Sequence, residues 1–162
     1  MFTASIITVS DKGFVGLRED LSGLTMKNIL EDNDYKIASY TIVKDDVFDI
    51  VKALKEAVAL NANLILTSGG TGFSKRDVTP EATNVVIEKN APGIAEAIRA
   101  NSMTYTPRAM LSRGVSGICG DSLIINLPGS PKAVTETLEF LLPSLQHGLD
   151  ILSDKAHDCA RK

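Results

Sequence analysis

The amino-acid sequence predicts an α/β fold, a three-layer sandwich with a mainly parallel, mixed central sheet. Two observations support this prediction. Short apolar runs typical of buried strands alternate with helical segments, which favours a parallel sheet. Two later runs, at 115–119 and 123–127, are joined by Gly120-Asp121, which predicts an antiparallel hairpin. We expect one domain over residues 1–152 of the 162-residue chain, followed by a polar tail at 153–162.

The first half of the chain is expected to contain three strands, at 3–10, 35–43 and 64–67. A polar loop follows the first strand to about residue 20, and a helix is predicted at about 22–33. A second helix follows the second strand, with Asp46 favoured over Asp45 as its N-cap. Its apolar residues recur at helical spacing, at Val47, Ile50, Val51, Leu54 and Val58.

The second half is expected to contain helices at about 80–89 and 93–103, a short helix at 108–111, and a long helix after Pro131. Thr79 and Ser130 are the predicted N-caps of the first and the last of these helices. Pro143 is expected to kink or restart the long helix, because proline removes a backbone donor.

Composition and charge exclude several classes of function. The net charge is −3, from 17 basic and 20 acidic residues, and no basic run indicates nucleic-acid binding. Cys119 and Cys159 form neither a disulfide framework nor a metal-binding spacing. No signal-peptide pattern is present, and no stretch approaches the ~20 apolar residues that a membrane span needs. We therefore expect a soluble protein of a reducing cytoplasm.

The strongest functional pattern is the stretch 64–83, in which an apolar strand runs into Ser68-Gly69-Gly70-Thr71-Gly72. Clustered glycines let backbone N–H groups turn toward one point, and a helix N-terminus follows. Lys75 and Arg76 add positive charge. The pattern predicts a phosphate-binding loop, although it is not a P-loop, and a tight strand-to-helix turn is the simpler alternative.

Two acidic residues accompany this loop. Asp77 is unexpected in an anion site, and Asp45 follows the preceding strand. Mg²⁺ usually takes one or two protein carboxylates and fills its other positions with phosphate and water, so both residues are candidate metal ligands. The alternatives for Asp77 are pairing with Arg76 or helping to cap the following helix.

A second glycine-bearing loop, Pro128-Gly129-Ser130-Pro131-Lys132, also lies between the end of a strand and the start of a helix. Lys132 lies in the first helical turn, where a bound anion would make a cation favourable; a lysine in water is the alternative. Arg108 and Arg113 could reach phosphate or lie at the surface. The charged opening loop, which includes Arg18, Asp20 and Ser22, is explained mostly as solvated surface.

No nucleophile constellation is present in the sequence: there is no G-x-S-x-G motif, no Cys–His pair, and no histidine in a candidate loop. A substrate that brings its own phosphate as nucleophile would need little general-base help. The barrier would be repulsion between anions, which a cation, oriented N–H groups and Lys or Arg would offset. The residues therefore favour phosphoryl-type transfer over hydrolysis.

Several of these motifs together resemble the molybdenum-cofactor biosynthesis family, which includes the MogA and MoaB proteins. The matching segments are TSGGTGFSKRDVTPEAT at 67–83, INLPGSPKAV at 125–134, the opening TVSDKG…REDLSG, and TPRAMLSR at 106–113. They span residues 5–145. The resemblance implies a Rossmann-like domain that transfers AMP from ATP to the terminal phosphate of molybdopterin with Mg²⁺.

The resemblance also implies residue roles and partners. Asp77 and Asp45 would be catalytic and bind the metal. A homo-oligomer, trimer or hexamer, is expected, and a molybdate-inserting protein could act downstream. The residues expected to bind molybdopterin and ATP are Ser10, Asp11, Ser68, Gly69, Gly70, Thr71, Gly72, Lys75, Arg76, Pro128, Gly129, Ser130, Pro131 and Lys132.

Two other functions compete with this one. A non-catalytic paralogue could bind or carry molybdopterin without adenylylating it. A flavodoxin-like FMN module is disfavoured, because the first strand ends in Ser10-Asp11-Lys12-Gly13 and not in a hydroxyl-rich phosphate loop.

Overall fold

A computed structural model describes residues 1–153. Its six-stranded sheet has the order β2-β1-β3-β6-β5-β4. The strands β2, β1, β3 and β6 are parallel, while β5 is antiparallel to β6 and β4 is antiparallel to β5. The predicted mixed sheet and its hairpin are confirmed. The strands are β1 (Phe2–Val9), β2 (Tyr35–Val43), β3 (Leu64–Ser68), β4 (Lys89–Asn90), β5 (Ser116–Cys119) and β6 (Ser122–Leu127).

Helices cover both faces of the sheet. Successive residues of a strand point to opposite faces, so Ile6 and Ile7 in β1 enter different cores. One core includes Met26 of α2 and Leu138 of α6, and the other includes Leu54 of α3. The result is the predicted three-layer sandwich. The helices are α1 (Asp11–Phe14), α2 (Leu21–Asp32), α3 (Val47–Ala59), α4 (Thr79–Val86), α5 (Pro92–Met103) and α6 (Pro131–Leu152), with a 3-10 helix at Pro107–Leu111.

Two boundaries differ from the sequence prediction. The loop expected after β1 begins with the short α1, because Ser10 Oγ accepts a hydrogen bond from Gly13 N–H at 3.0 Å. Helix α4 ends at Val86 and not at Lys89, since Ile87 is extended and Lys89–Asn90 pair with β5. Strand pairing across the hairpin edge therefore outweighs the local helical pattern.

Of the three predicted N-caps, two are confirmed and one is wrong. Asp46 and Ser130 cap α3 and α6 with their side chains. Thr79 is not an N-cap: Val78 holds that position without a side-chain hydrogen bond. Helix α6 does not restart at Pro143, whose missing N–H affects only a carbonyl on the exposed side.

The rest of the chain adds little to this architecture. Apart from Ser153, the predicted polar tail lies outside the described residues. Within the described part of the chain, no helix is both long and apolar enough to cross a lipid bilayer.

Candidate functional site

The candidate site lies where the strand order changes direction. From β1 the chain continues to β2 on one side, and from β3 it continues toward β6 on the other. The loops after β1 and β3 therefore diverge and leave a crevice, the usual ligand site of open α/β sheets. A cavity of about 570 Å³ opens there. It is lined by Thr8, Val9, Ser10, Gly13, Arg18, Glu19, Asp20, Leu21, Ser22, Asp45, Ser68, Gly69, Gly70, Gly129, Ser130 and Pro131.

The glycine loop, residues 69–72, needs glycine at its first two positions. Gly69 and Gly70 have φ of +96° and +65°, which L side chains rarely adopt. A Cβ on Gly69 would overlap the carbonyl oxygen of Val9, and one on Gly70 would overlap the hydroxyl of Thr79. The close approach of β1 and the loop therefore depends on the absence of side chains here.

Thr79 closes the loop from its far end. Its backbone N–H donates to the carbonyl of Gly70 at 3.1 Å, and its hydroxyl donates to the carbonyl of Gly69 at 2.9 Å. Thr79 is fully buried. It thus stabilises the turn of the loop, a role different from the helix cap that the sequence predicts.

Arg113 holds the same loop from outside. Its guanidinium donates to the carbonyls of Gly72 and Asp77, at 2.7 Å each, and forms an ion pair with Glu81. Its backbone N–H donates to the carbonyl of Thr71 at 2.8 Å. The sequence leaves two roles open for Arg113, phosphate binding and a free surface charge, and the structure supports neither. Arg113 instead stabilises the glycine loop.

The two candidate metal ligands lie on adjacent loops. Asp45 is half-buried on the cavity wall, and its Oδ2 accepts a hydrogen bond from Asp11 N–H at 2.9 Å. Burial raises the pKa of Asp45, and the negative charges of Asp11 and Asp77 add to this effect. The Oδ2 atom of Asp77 accepts from Ser74 N–H at 3.1 Å. Asp77 neither pairs with Arg76 nor caps α4, so both alternatives for it are unsupported.

Each of these carboxylates has an oxygen that could bind a Mg²⁺ ion. Each has one oxygen, Oδ1, that accepts no hydrogen bond from the described residues. No group of three or more His, Cys, Asp or Glu side chains arranged to hold a metal occurs between residues 1 and 153. Mg²⁺ commonly needs only one or two protein carboxylates when phosphates complete its coordination.

The basic residues of the predicted site, Lys75, Arg76 and Lys132, do not line the cavity. Arg76 forms a bidentate pair with Asp11. Lys75 is exposed, and Lys132 lies 3.9 Å from Glu136 one turn along α6. The predicted residues that line the cavity are Ser10, Asp45, Ser68, Gly69, Gly70, Gly129, Ser130 and Pro131. Those outside its lining are Asp11, Thr71, Gly72, Lys75, Arg76, Asp77, Pro128 and Lys132.

The second loop joins the glycine loop at the cavity. Ser68 Oγ donates to the carbonyl of Pro128 at 3.0 Å, and Ser22 Oγ donates to the carbonyl of Gly129 at 2.6 Å. These bonds connect β3, α2 and the start of α6. The two glycine-bearing loops are therefore neighbours, as the sequence predicts for loops at one sheet edge.

Sequence reasoning undervalued the opening loop. Arg18, Asp20 and Ser22 line the cavity, although they were attributed to solvated surface. Asp20 caps α2 by accepting from Gly23 N–H at 2.9 Å, and it also accepts from the Tyr40 hydroxyl at 2.5 Å. Asp20 is the N-cap, and Gly23 is the third helical residue, N3. An aspartate just before a helical segment is a common N-cap, so it could have indicated this helix start.

Comparison with known proteins identifies the family. Residues 5–147 match the family model described as "Probable molybdopterin binding domain". The chain belongs to this family. The resemblance drawn from the glycine loop and its partners is thus confirmed. The residues that line the cavity at the strand switch, where the strand order changes direction between β1 and β3, all lie within the matched range.

Relatives and solved structures agree with this membership. The molybdopterin adenylyltransferase of Helicobacter pylori is 40% identical over 151 residues, which cover 91% of this chain and 85% of the relative. That of Escherichia coli is 41% identical over 138 residues, covering 84% and 67%. The molybdopterin biosynthesis enzyme MoaB of Thermus thermophilus superposes with a TM-score of 0.89 at 45% identity, covering 98% of this chain and all of that one.

Proposed function

We propose that this family member is a molybdopterin adenylyltransferase that transfers AMP from ATP to the terminal phosphate of molybdopterin with Mg²⁺. The observation that carries the proposal is the cavity at the strand switch, where the glycine loop meets Asp45. The names of relatives at about 40% identity support the same activity.

The proposed reaction joins two phosphates. An oxygen of the molybdopterin phosphate attacks the α-phosphorus of ATP, the bond from that phosphorus to the bridging oxygen breaks, and pyrophosphate leaves with the electron pair. The nucleophile is already anionic at neutral pH, so no general base is needed. This agrees with a cavity whose lining, among residues 1–153, contains no histidine or cysteine.

The main obstacle is repulsion between the reacting anions. Two unit charges ~4 Å apart repel by about 4 kcal/mol at an effective dielectric of 20. Mg²⁺, when bound, would offset this charge, and Asp45 and Asp77 are the residues that would hold it. The glycine loop would orient phosphate through its backbone N–H groups, and the start of α6 at Ser130 would add a second set of donors.

Assembly and location are further parts of the proposal. We expect a homo-oligomer, a trimer or a hexamer, which is measured by light scattering on the purified protein. Large apolar side chains at the surface, among them Phe48, Phe73 and Tyr105, are consistent with such contacts. The resemblance implies a cytoplasmic protein whose product passes to a molybdate-inserting protein, and both remain predictions.

The decisive experiment is to mix the protein with molybdopterin, Mg²⁺ and ATP labelled at the α-phosphate. Labelled adenylylated pterin and an equal amount of pyrophosphate are the expected products. Tight binding of molybdopterin without either product would overturn the enzyme and leave the carrier function in its place.

Asp77→Asn should keep the fold and some pterin binding but lose most turnover. The amide preserves the shape of the side chain and removes the charge that would hold the metal. Turnover is measured as pyrophosphate released, and folding by circular dichroism. Asp121→Asn, in the exposed hairpin turn, is the matched control and should have normal turnover. Normal turnover in Asp77→Asn would remove Asp77 from the proposed metal site.

A further inference from the structure

Asp11 was expected to bind substrate, but its carboxylate is fully used by the protein. The Oδ1 atom accepts from Asp45 N–H at 3.1 Å and from Arg76 Nη2 at 2.9 Å. The Oδ2 atom accepts from Arg76 Nε at 3.0 Å and from Arg76 Nη2 at 2.8 Å. A phosphate could reach neither oxygen without displacing these donors, and two carboxylate oxygens would in any case repel it.

The backbone of Asp11 completes a reciprocal pair with Asp45. Asp11 N–H donates to Asp45 Oδ2 at 2.9 Å, while Asp11 Oδ1 accepts from Asp45 N–H. One residue thus holds both the main chain and the carboxylate of Asp45. The other oxygen, Asp45 Oδ1, is left on the side of Gly70, where a Cβ would lie 3.3 Å from it.

Arg76 balances the charge of this arrangement. Asp11, Asp45 and Asp77 bring three carboxylates to one edge of the sheet, and Arg76 forms its ion pair with the first of them. The Arg76 and Asp11 side chains are 61% and 42% exposed, and exposed pairs add little to stability. Their bond joins the loop after β1 to the loop after β3. Its effect is therefore expected on the local geometry of the site and not on global stability.

We propose that Asp11 is a positioning residue for Asp45, with Arg76 as its counter-charge, an inference that rests on the proposed adenylyl transfer. Asp11 turns the free oxygen of Asp45 toward the glycine loop. Arg76 acts through Asp11 and does not bind phosphate. Groups that orient metal ligands in this way typically change metal affinity by about 10- to 100-fold when they are removed.

The first test is structural and needs no substrate. Crystal structures of the wild type, Asp11→Ala and Arg76→Gln are compared at Asp45. Asp11→Ala keeps the backbone N–H that donates to Asp45 Oδ2 but loses the acceptor for Asp45 N–H, so we expect the main chain at Asp45 to shift and its carboxylate to turn away from the glycine loop. An unchanged Asp45 in both variants would overturn the positioning role, whatever the protein catalyses. Arg76→Gln alters an exposed side chain, so it provides this answer even if Asp11→Ala does not fold.

The second test separates positioning from phosphate binding. ATP is titrated calorimetrically into each variant, once with Mg²⁺ and once with EDTA. The gain in affinity that Mg²⁺ provides should fall by about 10-fold in Asp11→Ala and in Arg76→Gln, while binding in EDTA stays at the wild-type level. The double variant should be no weaker than either single variant, because both act through one contact.

Controls and contrary outcomes follow from the same titrations. Lys52→Gln removes another exposed ion pair, on α3, and should bind ATP normally. Asp11→Asn retains an acceptor for Asp45 N–H and should recover part of the Mg²⁺ effect. Weaker ATP binding by Arg76→Gln in EDTA, with additive losses in the double variant, would make Arg76 a phosphate ligand and overturn the inference. Wild-type protein that binds ATP but forms no product would instead contradict the proposed function alone.

Discussion

Two junctions lead from a parallel strand into a helix at the cavity, and they are held in different ways. The junction from β6 to α6 is short, residues 128–130, and Ser130 caps the helix with its own side chain. The junction from β3 to α4 covers residues 69–78, and its helix has no side-chain cap. Instead, Thr79 closes the junction from its far end, and Arg113 and Asp11 hold it from distant parts of the chain.

The difference shows where each loop obtains its shape. The short junction has a local cap, Ser130, and its carbonyls at Pro128 and Gly129 also accept hydrogen bonds from Ser68 and Ser22. The long junction is specified by tertiary contacts, so its geometry depends on the rest of the domain. No side chain caps α4, so the shape of this loop does not depend on a helix cap. Several backbone N–H groups of such a loop can therefore bind a ligand.

The largest expected effect is that of Gly69→Ala. A left-handed backbone at this position and the overlap of the new Cβ with Val9 should lower the free energy of unfolding by at least about 2 kcal/mol. Urea denaturation measures it. Gly129→Ala is the matched control in the short junction. Its Cβ would lie 3.4 Å from the nearest atom, so a change within about 0.5 kcal/mol is expected. Equal losses in both variants would contradict the comparison.

Arg113→Ala should follow, with a loss of about 2 kcal/mol, because two loop carbonyls and Glu81 lose a charged donor. Arg108→Ala is the control, since the Arg108 side chain forms no hydrogen bond or ion pair with the described residues. The Arg113 hydrogen bond lowers the pKa of Glu81 below its ordinary value. The stability from this pair is present above the ordinary pKa of a glutamate and is lost as the pH falls through the lowered pKa. The free energy of unfolding, measured by denaturation at a series of pH values, should show this loss in the wild type but not in Arg113→Ala.

Thr79→Val is expected to cost about 1–2 kcal/mol, because the half-buried carbonyl of Gly69 loses the donor that the fully buried Thr79 supplies, while the side-chain shape is kept. Thr25→Val removes a similar bond, to the carbonyl of Leu21, at the surface of α2, where water can replace it. Thermal unfolding of the two variants should therefore differ. A similar melting temperature for both would show that Thr79 contributes only through its backbone.

Ser130→Ala should have the smallest effect, a loss of about 1 kcal/mol or less, because the lost cap lies at an exposed helix end. Ser130→Asp should restore it, since an acidic cap also suits the helix dipole. Both are compared by urea denaturation. A loss in Ser130→Ala larger than that in Arg113→Ala would reverse the order of the two junctions.

The same contrast explains how far sequence reasoning reached. Local signals sufficed where an element depends on its neighbours: Asp46 and Ser130 were identified as caps, and Gly120-Asp121 as a hairpin turn. They failed where contacts outside the element itself decide. Thr79 resembles a cap but bonds to Gly69, and the predicted helix end at Lys89 is replaced by pairing with β5.

For the candidate site, the sequence located the loops but not the connections between them. Shared position at one sheet edge was enough to group Asp45 with the two glycine-bearing loops. Nothing in the local pattern showed that Arg76 would pair with Asp11, 65 positions away, or that Arg113 would bind the glycine loop. Such partners are set by packing of the whole domain, and single-sequence patterns do not contain that information.

The two-residue strand β4 has a consequence for the protein in concentrated solution. Lys89 and Asn90 form the outer edge of the sheet beside β5, and both are exposed. So short an edge offers few unpaired backbone groups, and the lysine charge disfavours a neighbouring strand. Another molecule therefore finds little template for extending the sheet at this edge, which protects the hairpin from edge-to-edge aggregation.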